Sequence, residues 1–551
     1  MPKQATGSTR HRLRPEPSFD SRTPATVPPA IPADAQAARF DFVIVGAGTA
    51  GSVLAARLTE QPDVRVLLLE AGPADGPARM SVPRAWPTLL GSEVDWRYTT
   101  VPQPGLGGAA IPYPRGRVLG GSSAINAMFH LRGHRSAIDS WAAAGATGWS
   151  YDDLLPYYRR SERTHGLDPR YRGVDGPMRP ERVAPDIPAA RAALRALQEL
   201  GYPVSADLNG PEAEGVAWNE VTIADGVRQS AADAYLRPVL DRRNLTVVTG
   251  ALVHRLVITR GRCTGVEYTH GGIVQRAEAH AEVVLCAGAI GSPQLLMLSG
   301  VGPAERLRTH DVEPLVDLPG VGANLSDHPL GFVVYAAPGP LPGTASGTAD
   351  VVAAVRTDSA LMAPNVHIIF AGIPLAPPSM QGQSGFTIGF ALLAPLSRGA
   401  VTLTSADPGT APLIDPGLLS DDRDVAGMLA GLRLARAVGT SPALAPWRKS
   451  EVFPDVAVQT GDQLRRSGSV GTYFHPVGTC KLGTDPDAVV DLQLRVHGVE
   501  GLRVVDASVM PSLPAANTNA TVLAIAERAA AIITGHDRVT DQASAVYTLV
   551  P

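Results

Sequence analysis

The stretch Phe42-Val43-Ile44-Val45-Gly46-Ala47-Gly48-Thr49-Ala50-Gly51 decides the fold of this chain. Its apolar run predicts a buried parallel strand, and Thr49 to Leu58 predict the helix that packs back on that strand. The glycine spacing has a physical reason at each position. Gly46 permits a tight turn, Gly48 lets the backbone approach a pyrophosphate, and Gly51 allows close contact between helix and strand. The helix N-terminus offers free N–H groups and the positive end of a dipole to phosphates.

A second strand and an acidic residue complete this dinucleotide-binding pattern. Val64 to Leu69 form the next apolar run, and Glu70 at its tip can bind the ribose hydroxyls of an adenosine. GxGxxG spacing alone is a weak signal, but strand, helix, second strand and acid follow here in order. The sequence therefore predicts a Rossmann-type domain.

Composition and charge exclude several classes of protein. The 551 residues are enough for two to four domains, and 44% apolar with 18% charged residues is typical of a compact enzyme. A net charge of −4 gives no electrostatic reason to expect nucleic acid. Cys263, Cys286 and Cys480 lie far apart without a CxxC pair, which indicates neither a disulfide framework nor a metal site. They favour a reducing compartment, and we expect the cytoplasm.

The two ends of the chain are predicted to be tails. Residues 1–38 are rich in Pro, Ala, Thr and Arg and lack the apolar core of a secretory signal, so we expect a disordered segment. A short docking segment is the alternative. Residues 537–551 are predicted to form a C-terminal tail. No apolar stretch reaches the roughly 18 residues that a membrane span needs.

Hydrophobic periodicity predicts further elements along the chain. Leu429, Leu432 and Leu434 are spaced to face a core from one of the helices. The predicted helices lie around residues 141–162, at 294–298 with Ser292 as N-cap and Pro293 at the first position, at 423–438 and at 520–533. The predicted strands lie at residues 245–248, 252–258, 263–268, 282–286, 366–370, 386–390 and 502–505.

Four separated motifs resemble those of the glucose–methanol–choline (GMC) oxidoreductases. Pro114 to Met128 is similar to the family's first signature, and Gly288 to Gly302 is similar to its second. His475-Pro476-Val477-Gly478-Thr479-Cys480, and Asp506-Ala507-Ser508 followed by Asn517-Thr518-Asn519, resemble its catalytic segment. The similarity runs from about Asp41 to about Ile533, with the motifs in the family's order.

The resemblance implies an α/β plus β fold, in which an FAD-binding Rossmann-type domain carries a second, substrate-binding domain built on a β-sheet. It assigns residues 39–155, 225–325 and 470–536 to the discontinuous FAD-binding domain. Residues 156–224 and 326–469 are assigned to the substrate-binding domain.

The resemblance also implies FAD, rather than NAD, in the glycine-rich site. The sequence has no metal-binding motif, and we expect no metal. Relatives that tether flavin covalently often use a histidine two residues after the serine pair, and Ile125 stands there, so we expect non-covalent FAD. Paired glycines let backbone N–H groups approach a phosphate, and Asn126 can bond a polar ring edge. The residues expected to contact FAD are Gly46, Gly48, Thr49, Ala50, Gly51, Glu70, Ala71, Val118, Gly121, Ser122, Asn126, Ala127, Met128, Val253, Ala287, Asp506, Ala507, Thr518 and Asn519.

His475 and Asn517 match the catalytic positions of the family. An imidazole can take a proton from an alcohol near neutral pH, and hydride leaves an alkoxide far more readily than a neutral alcohol. Asn517 can donate to and accept from the substrate oxygen without competing for the proton. Asn519 is expected either to cap the following helix or to contact flavin. Phe474 is expected to crowd the flavin face or to be a core aromatic.

The predicted function is oxidation of an alcohol to an aldehyde or ketone, with oxygen or another acceptor removing the electrons. The predicted strands at 366–370 and 386–393 are almost wholly apolar and supply few carboxylates or cage aromatics for a quaternary ammonium. We therefore expect an uncharged primary alcohol in preference to choline or a sugar. A GMC-type hydroxynitrile lyase, which works without net redox, is the alternative, and flavin reduction by the substrate separates the two.

Overall fold

The computed structural model describes residues 39–183, 186–211, 213–341, 347, 349–375 and 384–537. Two sheets of seven strands each organise this part of the chain. The first contains the opening strand, Phe40–Val45, and the second is antiparallel. This confirms the predicted α/β plus β fold. The predicted tail of residues 1–38 lies outside the described residues.

The first sheet has a parallel half and an antiparallel half. Its strands, in spatial order, are Leu245–Thr249, Val66–Glu70, Phe40–Val45, Ile273–Leu285, Arg262–His270 and Ala251–Thr259, with Leu502–Val504 pairing to Ile273–Leu285. The pairs among the first four strands and the pair with Leu502–Val504 are parallel. In such a sheet, ligands bind beyond the carboxyl ends of the parallel strands. Gly46, Glu70, Cys286 and Asp506 lie at or just beyond those ends.

One strand of this sheet is much longer than its apolar run predicts. Ile273–Leu285 replaces the strand expected at residues 282–286. Its first half pairs antiparallel with Arg262–His270 and alternates buried and exposed side chains, so polar residues occupy one face. A half-exposed strand needs only alternate apolar residues, which is why hydrophobicity missed it.

The second sheet packs one of its faces against the helix Asp422–Thr440. Its strands, in spatial order, are Ser450–Phe453, Pro329–Ala336, Gly385–Leu392, Val366–Ala371, Val351–Val355 and Gly215–Trp218, with Val470–Thr472 pairing to Pro329–Ala336. Alternate side chains on one face, among them Ile368, Phe386 and Phe390, pack in one core with Met428 and Leu432 of the helix Asp422–Thr440. The other face is turned towards the first sheet. Leu429 and Leu434, expected to face the core, are only partly buried at its edge.

The helices differ from the predictions at two places where the local chemistry explains the change. The helix expected around residues 141–162 is two helices, and the loop between them contains Gly145 and Gly148, both with positive φ. The α-helices of the described residues are Thr49–Leu58, Arg135–Ala143, Tyr151–Ser161, Pro188–Glu199, Gly288–Leu298, Ala304–Arg308, Asp422–Thr440, Gly461–Arg466 and Thr518–Ile533.

The second difference is the start of the helix Gly288–Leu298, since Ser292 and Pro293 lie inside it rather than at its N-terminus. Proline lacks the N–H that would bond the carbonyl four residues earlier. Here the Thr479 hydroxyl donates to that carbonyl, on Ala289, at 2.6 Å. The hydroxyl of Ser292 donates to Asp506 at 2.5 Å. A contact from a distant segment thus lets the helix run through its proline.

Three predicted domain boundaries fall within secondary-structure elements or beside a buried hydrogen bond. The helix Tyr151–Ser161 crosses the predicted boundary at residue 155. The strand Val470–Thr472 pairs in the second sheet, although the resemblance assigns it to the FAD-binding domain. Asp537, the first residue of the predicted C-terminal tail, is buried and accepts a hydrogen bond from Tyr157 at 2.7 Å. In the described part of the chain, no helix has the length and apolar character to cross a membrane.

Candidate active site

A cavity of about 430 Å³ lies between the two sheets, at the carboxyl ends of the parallel strands. The glycine-rich turn lines one part of it, and His475 and Asn517 line another. Every predicted contact residue except Gly51 and Val118 lines this cavity. The motifs that are far apart in sequence therefore meet at one site.

The glycine-rich turn has the geometry that its spacing predicts. Gly46 has φ +100°, in the left-handed region, and a methyl group on Gly51 would lie 1.9 Å from the carbonyl oxygen of Gly46. Gly51 therefore lies behind the cavity wall, where it lets the helix press against the strand. Gly48, Thr49 and Ala50 line the cavity at the helix N-terminus.

Glu70 supports the same turn from the neighbouring strand. Its carboxylate accepts hydrogen bonds from the backbone N–H groups of Ala47 and Gly72, at 2.9 and 2.8 Å. Burial is the largest influence on it and raises its pKa to about 7. Glu70 also lines the cavity, so it is placed both to hold the turn and to meet a ribose.

The loop of the first signature covers the turn. A methyl group on Gly121 would lie 2.8 Å from the Cα of Gly48, so the two backbones touch. The side-chain oxygen of Asn126 accepts from Arg228 at 2.8 Å, which leaves its NH₂ group to offer to a ring edge. Ser122, Ala127 and Met128 line the same wall.

Val118, one of the residues expected to contact FAD, lies away from the cavity. Its side chain is fully buried in a separate apolar cluster with Leu89, Val94, Ala124 and Ile125. It does not line the cavity, and its expected contact with FAD stays a prediction. Apolar packing beneath the loop explains its place in the motif.

Asp506 fixes the end of the parallel strand that precedes it. Its carboxylate accepts from the Gly288 backbone N–H, the Ser292 hydroxyl and the Ser508 backbone N–H. Burial raises its pKa. Asp506 thereby ties the N-terminus of the helix Gly288–Leu298 to the cavity wall, beside Ala287 and Ala507.

The C-terminal helix, Thr518–Ile533, directs its N-terminus into the cavity. Asn517 occupies the cap position but makes no capping hydrogen bond with its side chain. Asn519 lies in the first turn, and its Oδ1 accepts from the Thr49 hydroxyl at 2.8 Å. The prediction of Asn519 as N-cap is therefore wrong, because the helix begins earlier and Thr49 bonds its side chain.

His475 is held on both sides by hydrogen bonds. Its Nε2 lies 3.2 Å from Nδ2 of Asn517, and its Nδ1 lies 2.9 Å from Nδ1 of His328. The rings of Tyr473 and His475 lie 4.3 Å apart between centroids. Oδ1 of Asn517 and the Tyr473 hydroxyl are buried polar atoms without a hydrogen-bond partner. The Asn517 amide oxygen and the Tyr473 hydroxyl can therefore each form a further hydrogen bond at this end of the cavity.

Backbone contacts hold the segment of His475 in place. Asp327 accepts from the backbone N–H of His475 at 2.9 Å and from the hydroxyls of Thr472 and Tyr113. Phe474 has φ +65°, which is unusual for a residue with a bulky side chain, and its carbonyl accepts from Arg115 at 2.8 Å. These contacts fix the turn that directs His475 into the cavity.

Burial and neighbouring rings keep His475 neutral. Desolvation is the largest influence and, with His328, holds the pKa of His475 well below its usual value. At pH 7 the ring therefore carries no charge and one of its nitrogens has a free lone pair. A neutral imidazole with a free lone pair can accept a proton from an alcohol.

The wall near His475 is mostly apolar and aromatic. Of the two predicted strands, at 366–370 and 386–393, Ile369 is the described residue that lines the cavity. Ala371 follows it in the observed strand Val366–Ala371 and also lines the cavity, whereas no described residue of Gly385–Leu392 does. Other segments add to the apolar wall. Phe129, Leu330, Phe332 and Tyr473 were not singled out by the sequence, whereas Phe474, which was expected to crowd the flavin face or to be a core aromatic, does line the cavity. Among the described lining residues the carboxylates are Glu70 and Asp506.

The residues of the cavity fit FAD. Three helix N-termini, at Thr49, Gly288 and Thr518, line the cavity, and the positive ends of their dipoles favour anionic oxygens. The N–H of Gly288 itself donates to Asp506. The contact of Gly48 with Gly121 leaves no room for side chains where a diphosphate must approach the backbone. Glu70 stands at the tip of the second strand, as ribose binding requires.

Comparisons with known proteins agree with this geometry. Two family models described as GMC oxidoreductase match residues 40–330 and 395–526. An uncharacterised GMC-type oxidoreductase of Mycobacterium tuberculosis is 42% identical, over 90% of this chain and 99% of its own. The mitochondrial choline dehydrogenase of Mus musculus is 40% identical, over 92% and 91%. The crystal structure of pyridoxine 4-oxidase from "Mesorbium loti" has a TM-score of 0.87 and 38% identity, over 90% and 100%.

Proposed function

Because this chain belongs to the GMC oxidoreductase family and its cofactor is FAD, we propose that it oxidises an uncharged primary alcohol to the aldehyde. The observation that carries the proposal is the contact between His475 and Asn517 at one end of the cavity. The neutral imidazole of His475 and the amide of Asn517 lie side by side there. Aromatic side chains line the same end of the cavity.

His475 is the proposed base. Substrate binding places the hydroxyl between His475 and Asn517, so that the O–H donates to Nε2 of His475. The oxygen then accepts from Nδ2 of Asn517, which holds it as negative charge develops. His475 takes the proton, while bound FAD supplies the acceptor for the hydride that leaves the carbinol carbon. The N-terminus of the C-terminal helix lies at this end, where its partial positive charge stabilises developing negative charge.

The choice between an uncharged alcohol and choline rests on charge. A cation against aromatic rings gains about 2 kcal/mol when desolvated, and Phe129, Phe332 and Phe474 supply such rings. A buried cation without a counter-ion loses several kcal/mol of hydration. The lining carboxylates of the described residues, Glu70 and Asp506, belong to the nucleotide end. The balance therefore favours a neutral alcohol, although a choline dehydrogenase is among the relatives.

We expect kcat/KM for benzyl alcohol to exceed that for choline by about tenfold or more, which corresponds to about 1.4 kcal/mol. Steady-state assays with benzyl alcohol, hexanol, choline and glucose measure this ratio directly. A preference for choline or glucose would overturn the substrate proposal. It would leave the proposed roles of His475 and Asn517 intact.

Non-covalent attachment of FAD is the second expected result. Ile125, at the position where relatives often carry a tethering histidine, is apolar and almost fully buried. Acid or heat denaturation should therefore release free FAD into the supernatant, measured by its absorbance and fluorescence. Flavin that stays with the precipitated protein would contradict this expectation.

The acceptor and the compartment are further parts of the proposal. The relatives include an oxidase and a dehydrogenase by name, so electrons pass to oxygen or to another acceptor. Oxygen consumption during alcohol turnover, compared with reduction of an artificial dye, separates the two. The three cysteines are buried and free, which supports a reducing compartment such as the cytoplasm.

A further inference from the structure

His328 connects the ring of His475 to the backbone directly after the strand Gly385–Leu392 of the second sheet. Its Nε2 lies 3.0 Å from the carbonyl oxygen of Leu393, and its Nδ1 lies 2.9 Å from Nδ1 of His475. The two rings are nearly perpendicular, with centroids 5.2 Å apart. His328 does not line the cavity, so it meets no substrate. Its ring is hydrogen-bonded to the site through His475, and its centroid lies 6.2 Å from that of the Tyr473 ring.

The partners of each nitrogen determine where the protons lie. A carbonyl oxygen only accepts, so Nε2 of His328 carries a hydrogen and donates it to Leu393. Burial, and the nearby His367, lower the pKa of His328 to about 3, so the ring is neutral and its Nδ1 has the lone pair. The hydrogen in the 2.9 Å contact therefore belongs to Nδ1 of His475. Neutral His475 is left with its lone pair on Nε2, the atom that faces Asn517.

Asn517 agrees with this assignment. Its Nδ2, which can only donate, lies on the Nε2 side of His475 at 3.2 Å. The other amide atom, Oδ1, has no partner and is buried. Among the described groups near His328, Tyr473 contacts it through its ring and His367 contacts the ring of Tyr473. Asp327 bonds a backbone N–H and two hydroxyl groups, so none of the three has a recorded hydrogen bond to the ring of His328.

We propose that His328 is a positioning residue, which fixes the Nδ1–H tautomer of His475 and so presents its Nε2 lone pair to the substrate hydroxyl. This proposal rests on the proposed role of His475 as base. During the reaction one proton moves from the hydroxyl oxygen to Nε2 of His475. The Nδ1–H bond to His328 stays in place and becomes charge-assisted, because the ring is then a cation. His328 thus supports the base before and after proton transfer.

Two polar substitutions separate this role from packing. In His328→Asn, the amide oxygen takes the place of Nδ1 and can still accept from His475, while the bond to Leu393 is lost. In His328→Gln, the longer side chain brings its amide to the place of Nε2, where it can bond Leu393 but offers His475 no acceptor at Nδ1. Each variant therefore keeps one of the two hydrogen bonds of His328. If His328→Gln has the larger effect on the tautomer and on the rate of flavin reduction, the hydrogen bond to His475 is the one that matters.

The tautomer itself is measurable without turnover. Solid-state ¹³C–¹⁵N spectra of the FAD-loaded enzyme, labelled at histidine, distinguish an N–H nitrogen from one with a lone pair. Comparison with His475→Ala identifies the resonances of His475. We expect the Nδ1–H tautomer in the wild type and in His328→Asn, and a mixture of both tautomers in His328→Gln. An Nε2–H tautomer in the wild type, or unchanged spectra in His328→Gln, would overturn the proposal.

The rate of flavin reduction gives a second readout. We expect His328→Gln to be slower than His328→Asn by about tenfold, with the apparent Kd of the alcohol unchanged and no further loss when His328→Gln is added to His475→Ala. Equal rates in the two variants, or an additive loss in the double variant, would count against the proposal. If no alcohol reduces the wild type, the proposed function fails, while the spectra still decide the tautomer.

Discussion

Replacing His475 by alanine is expected to slow flavin reduction by about 10² to 10⁴-fold, the range for loss of a general base. The ring is neutral, buried and aligned by His328 and Asn517, so alanine removes a proton acceptor that water cannot replace in an apolar wall. Anaerobic stopped-flow mixing with benzyl alcohol measures the rate. FAD content should stay near that of the wild type, because His475 lies at the end of the cavity away from the glycine-rich turn.

Two further variants serve as the comparison and the control for His475→Ala. Asn517→Ala should slow reduction less, because it removes an orienting amide but leaves the base. His497→Ala, at an exposed residue that does not line the cavity, should leave the rate unchanged. A His475→Ala enzyme that reduces its flavin at the wild-type rate would show that His475 is only structural.

Gly51→Ala is expected to lose most of its bound FAD and to unfold more easily. Helix propensity alone predicts the opposite sign, since alanine is favoured over glycine inside a helix by about 1 kcal/mol. The added methyl group would lie 1.9 Å from the carbonyl oxygen of Gly46, which is backbone and cannot rotate away. Overpacking of this kind costs about 1–3 kcal/mol, and a turn displaced by it no longer matches a diphosphate.

The measurements are the flavin-to-protein ratio after dialysis and the melting temperature of the apoprotein. A loss of about 1.4 kcal/mol in binding lowers the affinity for FAD about tenfold. Gly339→Ala is the matched control, because a methyl group there meets nothing within 4 Å. Full flavin content in Gly51→Ala would mean that the helix can move without disturbing the site.

Local sequence predicts the parts of this fold that depend on short-range physics. The strand Phe40–Val45, the helix Thr49–Leu58 and Glu70 follow from an apolar run, glycine spacing and a strand tip. Their order in the chain also predicts that they meet at one sheet edge. His475 and Asn517 were found through a resemblance to a family, since neither residue has a distinctive periodicity of its own.

Contacts between residues that are far apart in the chain cannot be predicted from any one stretch of sequence. His328 precedes His475 by 147 residues, and its role depends on a carbonyl 65 residues further along. The proline inside Gly288–Leu298 looks like a helix start, because the hydroxyl of Thr479 that compensates it lies far away in sequence. Side chains such as Phe332 reach the cavity through the alternation of a strand, and its register is set by pairing with other strands.

Anaerobic stopped-flow reduction of the wild type tests most directly whether this enzyme takes a proton and a hydride from an alcohol. We predict that mixing with benzyl alcohol bleaches the oxidised flavin absorbance in one phase and yields one equivalent of benzaldehyde per flavin. Flavin that stays oxidised with benzyl alcohol, hexanol, choline and glucose would contradict this mechanism.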